Sequence, residues 1–332
     1  MAQEYTVGID LGGTKILAAV IDPAGQVLGR AKKKTRGELG QWAIAERIVR
    51  TAREAIKLAG VDAERITALG IGAPGPIDST TGIITEAPNL GFKNMNMKDY
   101  LERALGITSF VMNDVNVGTW GEYKMGAGHG ASSCLGVFVG TGIGSGIVID
   151  GKLYEGAGHV AGEIGHMCLN PEGPKCGCGR AGCLEAYASR TAITREIWTA
   201  LNKGTKSSPI QNPGKKDGQI RSGRLKEAYD KGDKLVTRVI HHAAEYLGIG
   251  LASAASLLNP ETIVLGGGVM TAMGAPYLDI VRDAMKAHAF ASTFNSTRLV
   301  AATLGDDAGV LGAALLARQY LHEFAALERS RS

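Results

Sequence analysis

Apolar runs in the first part of the chain predict strands joined by glycine-rich turns. Between residues 5 and 29, two apolar runs are separated by Asp-Leu-Gly-Gly-Thr-Lys, and an Asp-Pro-Ala-Gly turn follows the second run at 16–21. This pattern predicts a β-meander. Residues 41–59 carry apolar side chains at helical spacing, and 66–71 predict another strand. The mixture of strands and helices indicates an α/β fold.

A weak internal repeat gives this α/β pattern a second copy. Residues 135–154 again combine a strand, a Gly-Thr-Gly-Ile-Gly turn, a second strand and an Asp-Gly turn. Each copy contains Val-Ile-Asp, at 20–22 and at 148–150. Two glycine hairpins that face each other across a cleft are the layout of the two-lobed actin-like ATPase fold, which is ribonuclease H-like. We therefore expect duplicated βββαβα-type domains, although two unrelated glycine turns would give the same local pattern.

Length, composition and charge narrow the class of protein. A chain of 332 residues suits two domains, and its 47 glycines fit loops that turn sharply or approach a ligand closely. A net charge of +4 is too small to imply a nucleic-acid partner. No apolar stretch reaches the ~18 residues that span a bilayer, and no charged and apolar leader opens the chain. We expect a cytoplasmic protein with neither a membrane nor a nucleic-acid partner.

The second half alternates polar and small-residue segments. Residues 202–224 predict an exposed loop insertion, residues 235–258 a long helix, and residues 262–265 a strand that leads into a Gly-Gly-Gly turn. The last helix should begin near Asp306 or Asp307, which could cap it. The insertion is basic, and its charged residues are Lys203, Lys206, Lys215, Lys216, Arg221 and Arg224.

The first glycine turn is a candidate phosphate clamp. A backbone with little side-chain bulk can direct N–H groups at a phosphate, and the threonine can add a hydroxyl. The aspartate beside that anion would need a cation such as Mg²⁺ between them. The residues of this clamp are Asp10, Gly12, Gly13, Thr14 and Lys15.

Two further glycine turns could contact the same nucleotide. Neither ends in the Gly-Lys-Ser/Thr of a P-loop, so a P-loop fold is disfavoured. The second clamp comprises Gly140, Thr141, Gly142 and Gly144, and the third comprises Gly266, Gly267 and Gly268.

Asn113 and Asp114 end the strand predicted at 109–112. A carboxylate at the carboxyl end of a strand can project into a cleft. There it could take the proton of a sugar hydroxyl that attacks phosphorus. The alternative is an Asx-turn or a helix N-cap, and the local sequence does not separate the two.

A His-Cys cluster gives the strongest local signal of a metal site. His166, Cys176, Cys178 and Cys183 would complete a closed tetrahedral shell, so we expect a structural Zn²⁺. Buried free thiols are the alternative. Cys134 and Cys168 instead fit ordinary core cysteines, and His159 is given no role.

These motifs together resemble the ROK family of sugar kinases and repressors, from Val7 to the final helix. The resemblance implies a small α/β domain at 1–113, completed by the C-terminal helix at 306–325. It also implies a large domain at 114–305 with the zinc loop at 166–183. In this family pattern Asp114 is the catalytic base. The residues that match the sugar ligands are Asn89, Asn113, Asp114, Glu163, His166 and Glu185.

The resemblance implies ATP-dependent phosphorylation of glucose to glucose 6-phosphate, with Mg²⁺ bound alongside the nucleotide and a homo-oligomeric enzyme. Kinases of N-acetylmannosamine, fructose, mannose or allose share the motifs, and the phosphoryl donor could also be ADP or polyphosphate. A sugar-binding regulator without catalysis is a further alternative, but it would need neither Asp10, Thr14 nor Asp114. A DNA-binding repressor is disfavoured because the first glycine motif begins within ten residues of Met1.

Overall fold

The computed structural model describes residues 4–207, Ile210 and 218–331. The strands of its first part are β1 (Tyr5–Leu11), β2 (Lys15–Ile21), β3 (Val27–Lys34), β4 (Ile66–Ala73), β5 (Ile77–Asp78), β6 (Ile83–Ala87), β7 (Phe92–Asn96) and β8 (Ser109–Asn113). The strands of its second part are β9 (Ser133–Val139), β10 (Ile143–Ile149), β11 (Lys152–Leu153), β12 (Thr262–Gly266) and β13 (Arg298–Ala301).

The helices flank these strands. They are α1 (Gln41–Ala59), α2 (Met97–Leu105), α3 (Asp114–Met125), α4 (Glu185–Ala188), α5 (Arg190–Asn202), α6 (Ser222–Asp230), α7 (Lys234–Leu258), α8 (Gly267–Met273), α9 (Ala275–His288), α10 (Ala291–Ser296) and α11 (Asp307–Arg331). Helix α1 has the predicted bounds. Its apolar positions form one buried face, and Gly60 ends the helix in the left-handed conformation, with φ 65°. No helix in the described ranges is long and apolar enough to cross a membrane.

Two five-stranded sheets have the same strand order, which confirms the internal repeat. The first sheet runs β3-β2-β1-β4-β8 and the second β11-β10-β9-β12-β13. In each sheet three antiparallel strands precede two parallel ones. Strands β5, β6 and β7 form a small separate sheet. The fold is therefore the duplicated α/β arrangement expected from the two glycine hairpins.

Helices α3 and α11 join the two sheets. Helix α11 crosses the first sheet so closely that a Cβ at Gly70 would lie 2.0 Å from the carbonyl oxygen of Ala313. Helix α3 packs as tightly against α11, since a Cβ at Gly312 would lie 1.7 Å from the carbonyl oxygen of Val117. Helix α3 also contacts β9 and β10. Its first residue, Asp114, is therefore held in place by both halves of the molecule.

The segment at 202–224 is only partly the exposed loop that the sequence predicted, since residues 203–206 are exposed but others are buried. Helix α5 continues to Asn202 and α6 already begins at Ser222. Ile210 and Ile220 are only 5% and 6% exposed and belong to the apolar core of the second half. Burial of these two side chains ties the segment to the core, while Lys215 and Lys216 lie outside the described residues.

Two other predictions also need correction. The expected turn at Gly266-Gly267-Gly268 is the end of β12 followed directly by α8. Cys134 is buried, as expected of a core cysteine, but Cys168 is exposed. Cys168 lies in the loop at 166–183, where the sequence pattern does not indicate which thiols are buried.

Candidate active site

Asn113 and Asp114 start helix α3 at the carboxyl end of β8. The side-chain oxygen of Asn113 accepts hydrogen bonds from the N–H groups of Val115 and Asn116, at 2.9 and 3.1 Å. Asn113 is thus an N-cap, which was the alternative that the sequence left open. Its amide nitrogen faces the carbonyl oxygen of Gly75 at 3.4 Å. The cap fixes Asp114 as the first helical residue, at the positive end of the helix dipole.

Asp10 and Asp114 are both buried carboxyl groups with raised pKa values. Burial raises the pKa of Asp114 above its ordinary value. The pKa of Asp10 rises from 3.8 to about 6, mainly because the side chain is buried and next because the Asp114 carboxylate repels its charge, while Lys15 partly offsets both effects. A buried carboxylate that is repelled by a second one is the kind of oxygen donor that suits a divalent cation such as Mg²⁺.

The first glycine turn, between β1 and β2, is held by contacts within the first sheet. The N–H of Gly12 donates to the carbonyl of Lys15 at 2.9 Å, and the Thr35 hydroxyl donates to the carbonyl of Gly12 at 2.6 Å. A Cβ at Gly13 would meet nothing within 4 Å, so the tip of the turn is open. The ammonium of Lys15 is 2.5 Å from Asp306, just before α11. This ion pair must rearrange if Lys15 is to contact a phosphate.

The second glycine turn, between β9 and β10, rests on Glu185. One carboxylate oxygen of Glu185 accepts a hydrogen bond from the N–H of Ile143 at 2.9 Å. Its other oxygen lies 3.4 Å from the sulfur of Cys176. A Cβ at Gly142 would lie 2.3 Å from a carboxylate oxygen of Glu185, which would then have to move. Glu185 therefore connects the glycine turn to the His-Cys cluster.

Two residues at the start of α5, which the sequence analysis did not single out, also contact this turn. Arg190 Nη2 donates to the hydroxyl of Thr141 at 2.8 Å, and the Thr191 hydroxyl donates to the carbonyl of Thr141 at 2.7 Å. The Ser189 hydroxyl caps α5 by accepting from the N–H of Ala192. These partners are about 50 residues apart in sequence, so no local pattern identifies them.

The third glycine run has a packing role that the sequence did not indicate. Gly267 has φ +87°, and a Cβ there would lie 2.5 Å from both the nitrogen and the oxygen of Val139. Glycine at this position allows α8 to begin against the backbone at the end of β9. This contact accounts for Gly267 without a ligand.

His166, Cys176, Cys178 and Cys183 come together as a candidate metal centre. Their ligand atoms all lie within 4.8 Å of one another. His166 Nδ1 is 3.7 Å from the sulfur of Cys176, whereas its Nε2 faces Glu163 at 3.9 Å. Burial raises the pKa of Cys176 to about 12, so metal binding there would displace a proton. Three sulfurs and one imidazole fit a tetrahedral ion.

The loop that carries this centre folds back on itself. Cys168 and Cys183 form an antiparallel β-bridge, and a second bridge joins Lys175 to Ala181. Gly182 adopts φ +75°, and a Cβ there would lie 1.7 Å from the carbonyl oxygen of Asn170. A side chain at position 182 would thus push apart the strands that hold the thiols.

The six candidate sugar ligands do not all touch one another. Asn113 adjoins Asp114, Glu163 faces His166, and Glu185 reaches the cluster through Cys176. The Glu163 side chain is 63% exposed, so it is open to a ligand. Within the described ranges no hydrogen bond links Asn89 to the other five. It lies exposed in a 3₁₀ turn after β6.

His159, which was given no role, joins the two halves of the chain. Its Nδ1 lies 3.2 Å from the hydroxyl of Ser79, which follows β5. The same hydroxyl donates to Glu155 at 3.3 Å. His159 has φ +56°, a backbone conformation uncommon for a residue with a side chain.

Two sheets of one topology, with a glycine turn in each and a carboxylate at the helix between them, define a protein of the actin-like ATPase fold. The sequence model of the ROK family matches residues 6–320. The chain is 36% identical over 320 residues to a glucokinase of Halalkalibacterium halodurans, covering 96% of both chains. The chain belongs to the ROK family.

Solved structures agree with this assignment. A ROK hexokinase of Thermus thermophilus has a TM-score of 0.81 and 36% identity, over 96% of this chain and 99% of that one. A ROK family glucokinase of Streptomyces griseus, in complex with glucose and AMPPNP, has the same TM-score and identity over 95% and 99%. The similarity therefore extends over both halves of the fold.

Proposed function

We propose that the chain is a glucokinase, which transfers the γ-phosphoryl group of ATP to the 6-hydroxyl of glucose. One observation carries the proposal: Asp114 begins the helix that contacts both sheets, and its neighbour Asp10 precedes a glycine turn. The similarity to glucokinases over nearly the whole chain supports glucose as the substrate.

Asp114 acts as the general base in this proposal. It accepts the proton of the attacking hydroxyl, and its raised pKa brings it closer to the pH at which a base is most effective. The cap by Asn113 fixes the backbone at the start of α3, and the Asp114 carboxylate accepts a hydrogen bond from the N–H of Val115 at 2.9 Å. Asp10 is the residue that would hold Mg²⁺, which when bound would neutralise charge that develops on the phosphates. Thr14 and the glycines of the two turns contact the phosphates.

The sugar is held by Asn89, Asn113, Glu163, His166 and Glu185. Glutamates and amides accept or donate hydrogen bonds to hydroxyl groups, and the exposed Glu163 and Asn89 are free to do so. Glu185 must share its carboxylate between the sugar and the N–H of Ile143.

The His-Cys cluster binds a structural Zn²⁺ in this proposal. The four donors leave no open position, so the ion stabilises the loop and takes no part in the chemistry. His166 contributes Nδ1 to the ion, which leaves Nε2 for a sugar hydroxyl. The loop thereby aims Glu163, His166 and Glu185 at the substrate.

A hexose panel tests the assignment. ADP formation should be measured with ATP and each of glucose, mannose, fructose, allose and N-acetylmannosamine. We expect kcat/KM to be highest for glucose. A higher value for another hexose would replace glucose as the substrate. Hydrogen-bonding sites can reject the wrong hydroxyl arrangement by large factors, so the panel should separate these sugars clearly.

We place the enzyme in the cytoplasm, where ATP is available.

A further inference from the structure

Arg190 carries a positive charge directly beside the second glycine turn. It is the first residue of α5, and its backbone N–H donates to the carbonyl of Gly140 at 2.9 Å. Its side chain folds over the same turn, where Nη2 donates to the hydroxyl of Thr141 at 2.8 Å. Backbone and side chain therefore fix the guanidinium to the tip of the hairpin.

Among the described residues, the guanidinium has no anionic partner. In the part of the chain that the structure describes, no carboxylate forms an ion pair with Arg190, and its Nε is buried without a hydrogen-bond partner. A buried unpaired donor is unfavourable, and an arginine offers two parallel donors to a phosphate.

Two other cations near the candidate site, Lys15 and Arg195, are already engaged. Lys15, beside the first turn, is paired with Asp306. Arg195, one turn further along α5, donates to the carbonyls of Lys175 and Ala186. Arg190 is thus a positive charge at a glycine turn with donor capacity to spare.

We propose that Arg190 binds a phosphate of the nucleotide, beyond the α-phosphate, with Thr141 holding its guanidinium in place. This proposal rests on the proposed function, since it takes the second glycine turn as a phosphate clamp. Arg190 binds the nucleotide and does not transfer the proton. Loss of Arg190 should therefore weaken the binding of nucleotides that carry a β-phosphate and leave the binding of adenosine and AMP unchanged.

The test compares the affinities of adenosine, AMP and ADP by calorimetry, with Mg²⁺ and without sugar, so that it does not depend on turnover. Arg190→Gln keeps a donor for Thr141 and removes the charge. We expect its ADP affinity to fall about 10- to 100-fold, as for loss of a charged hydrogen bond. Adenosine and AMP should bind within about two-fold of wild type, because they lack the contacted phosphate.

Three further variants make the result specific. Arg190→Lys keeps the charge without the planar fork and should recover part of the ADP affinity. Thr141→Val keeps the charge of Arg190 but removes its hydrogen-bond partner, and it should lower the ADP affinity less than Arg190→Gln does. Lys203→Gln removes an exposed charge beyond the end of α5, away from the turn, and should change nothing.

Two outcomes with the variants overturn the proposal, and one with the wild type does so as well. Unchanged ADP affinity in both Arg190 variants removes the residue from the nucleotide site. An equal loss for adenosine, AMP and ADP assigns Arg190 a purely structural role. If the wild type binds ADP but does not phosphorylate any hexose, the proposed function fails while the phosphate dependence still reports on Arg190. If the wild type binds no nucleotide at all, both proposals fail.

Discussion

Replacing Asp10 by asparagine should stabilise the protein at neutral pH while removing a residue of the active site. The pKa of Asp10 rises from 3.8 to about 6 on folding, chiefly through burial and then through repulsion by Asp114. At ~1.4 kcal/mol per pKa unit, ionisation of Asp10 costs the folded state about 3 kcal/mol. Asparagine has nearly the same shape and cannot ionise, so the variant avoids this cost.

The sign of the pH dependence follows from proton binding. Between about pH 4 and 6 the folded state holds the Asp10 proton more tightly than the unfolded state. The free energy of unfolding of the wild type therefore falls as pH rises through this window. The variant lacks this loss. Its advantage should be near zero at pH 4 and reach about 3 kcal/mol above pH 6 to 7.

Urea denaturation at pH 4 and pH 7.5, followed by tryptophan fluorescence, measures this difference. Titrating groups that do not interact with Asp10 affect wild type and variant alike and cancel in the comparison. Asp283→Asn removes the same charge from an exposed position on α9 and should stay within ~0.5 kcal/mol of wild type. A variant that is less stable than wild type at pH 7.5, or a difference independent of pH, would refute the assignment of strain to Asp10.

The remaining predictions concern the metal loop and the central helices. Purified protein should contain about one zinc per chain, and Cys178→Ser should lose both the zinc and the affinity for glucose. Elemental analysis measures the zinc and calorimetry measures the affinity. A Cys178→Ser variant that keeps both would contradict the zinc site. Gly312→Ala should lower the free energy of unfolding by ~1–3 kcal/mol, because its Cβ would strike the carbonyl of Val117. Gly223→Ala, at an exposed position of α6 where a Cβ would meet nothing within 4 Å, is the control and should stabilise slightly. Equal effects of the two alanines would contradict the tight contact.

The fold could be predicted from the sequence because the same strand and turn pattern occurs twice in the chain. Both glycine turns lie between apolar strands, and the repeat of one pattern indicated one topology for both sheets. The domain boundaries at 113/114 and 305/306, and the homo-oligomer, stay predictions. In the segment at 202–224 the burial of Ile210 and Ile220 was missed, because the segment carries many charges and this burial depends on tertiary packing.

The site was only partly predictable, because it also depends on tertiary contacts between residues that are far apart in the sequence. Asn113 has the local signature of an N-cap, and its place beside a base was visible only through the family pattern. The link from Glu185 to Ile143 spans 42 residues, and that from Arg190 to Thr141 spans 49. Contacts of this range arise from the fold and leave no periodic signal in the chain.

The formation of glucose 6-phosphate by wild type and Asp114→Asn tests the central claim most directly. A dehydrogenase specific for glucose 6-phosphate should detect one product for each ADP formed by the wild type. The asparagine variant should bind glucose with similar affinity, because an amide still contacts the hydroxyl, and should lose ~10²- to 10⁴-fold in kcat. A wild type that forms no glucose 6-phosphate from ATP, or a variant with kcat within a few-fold of wild type, would contradict the account.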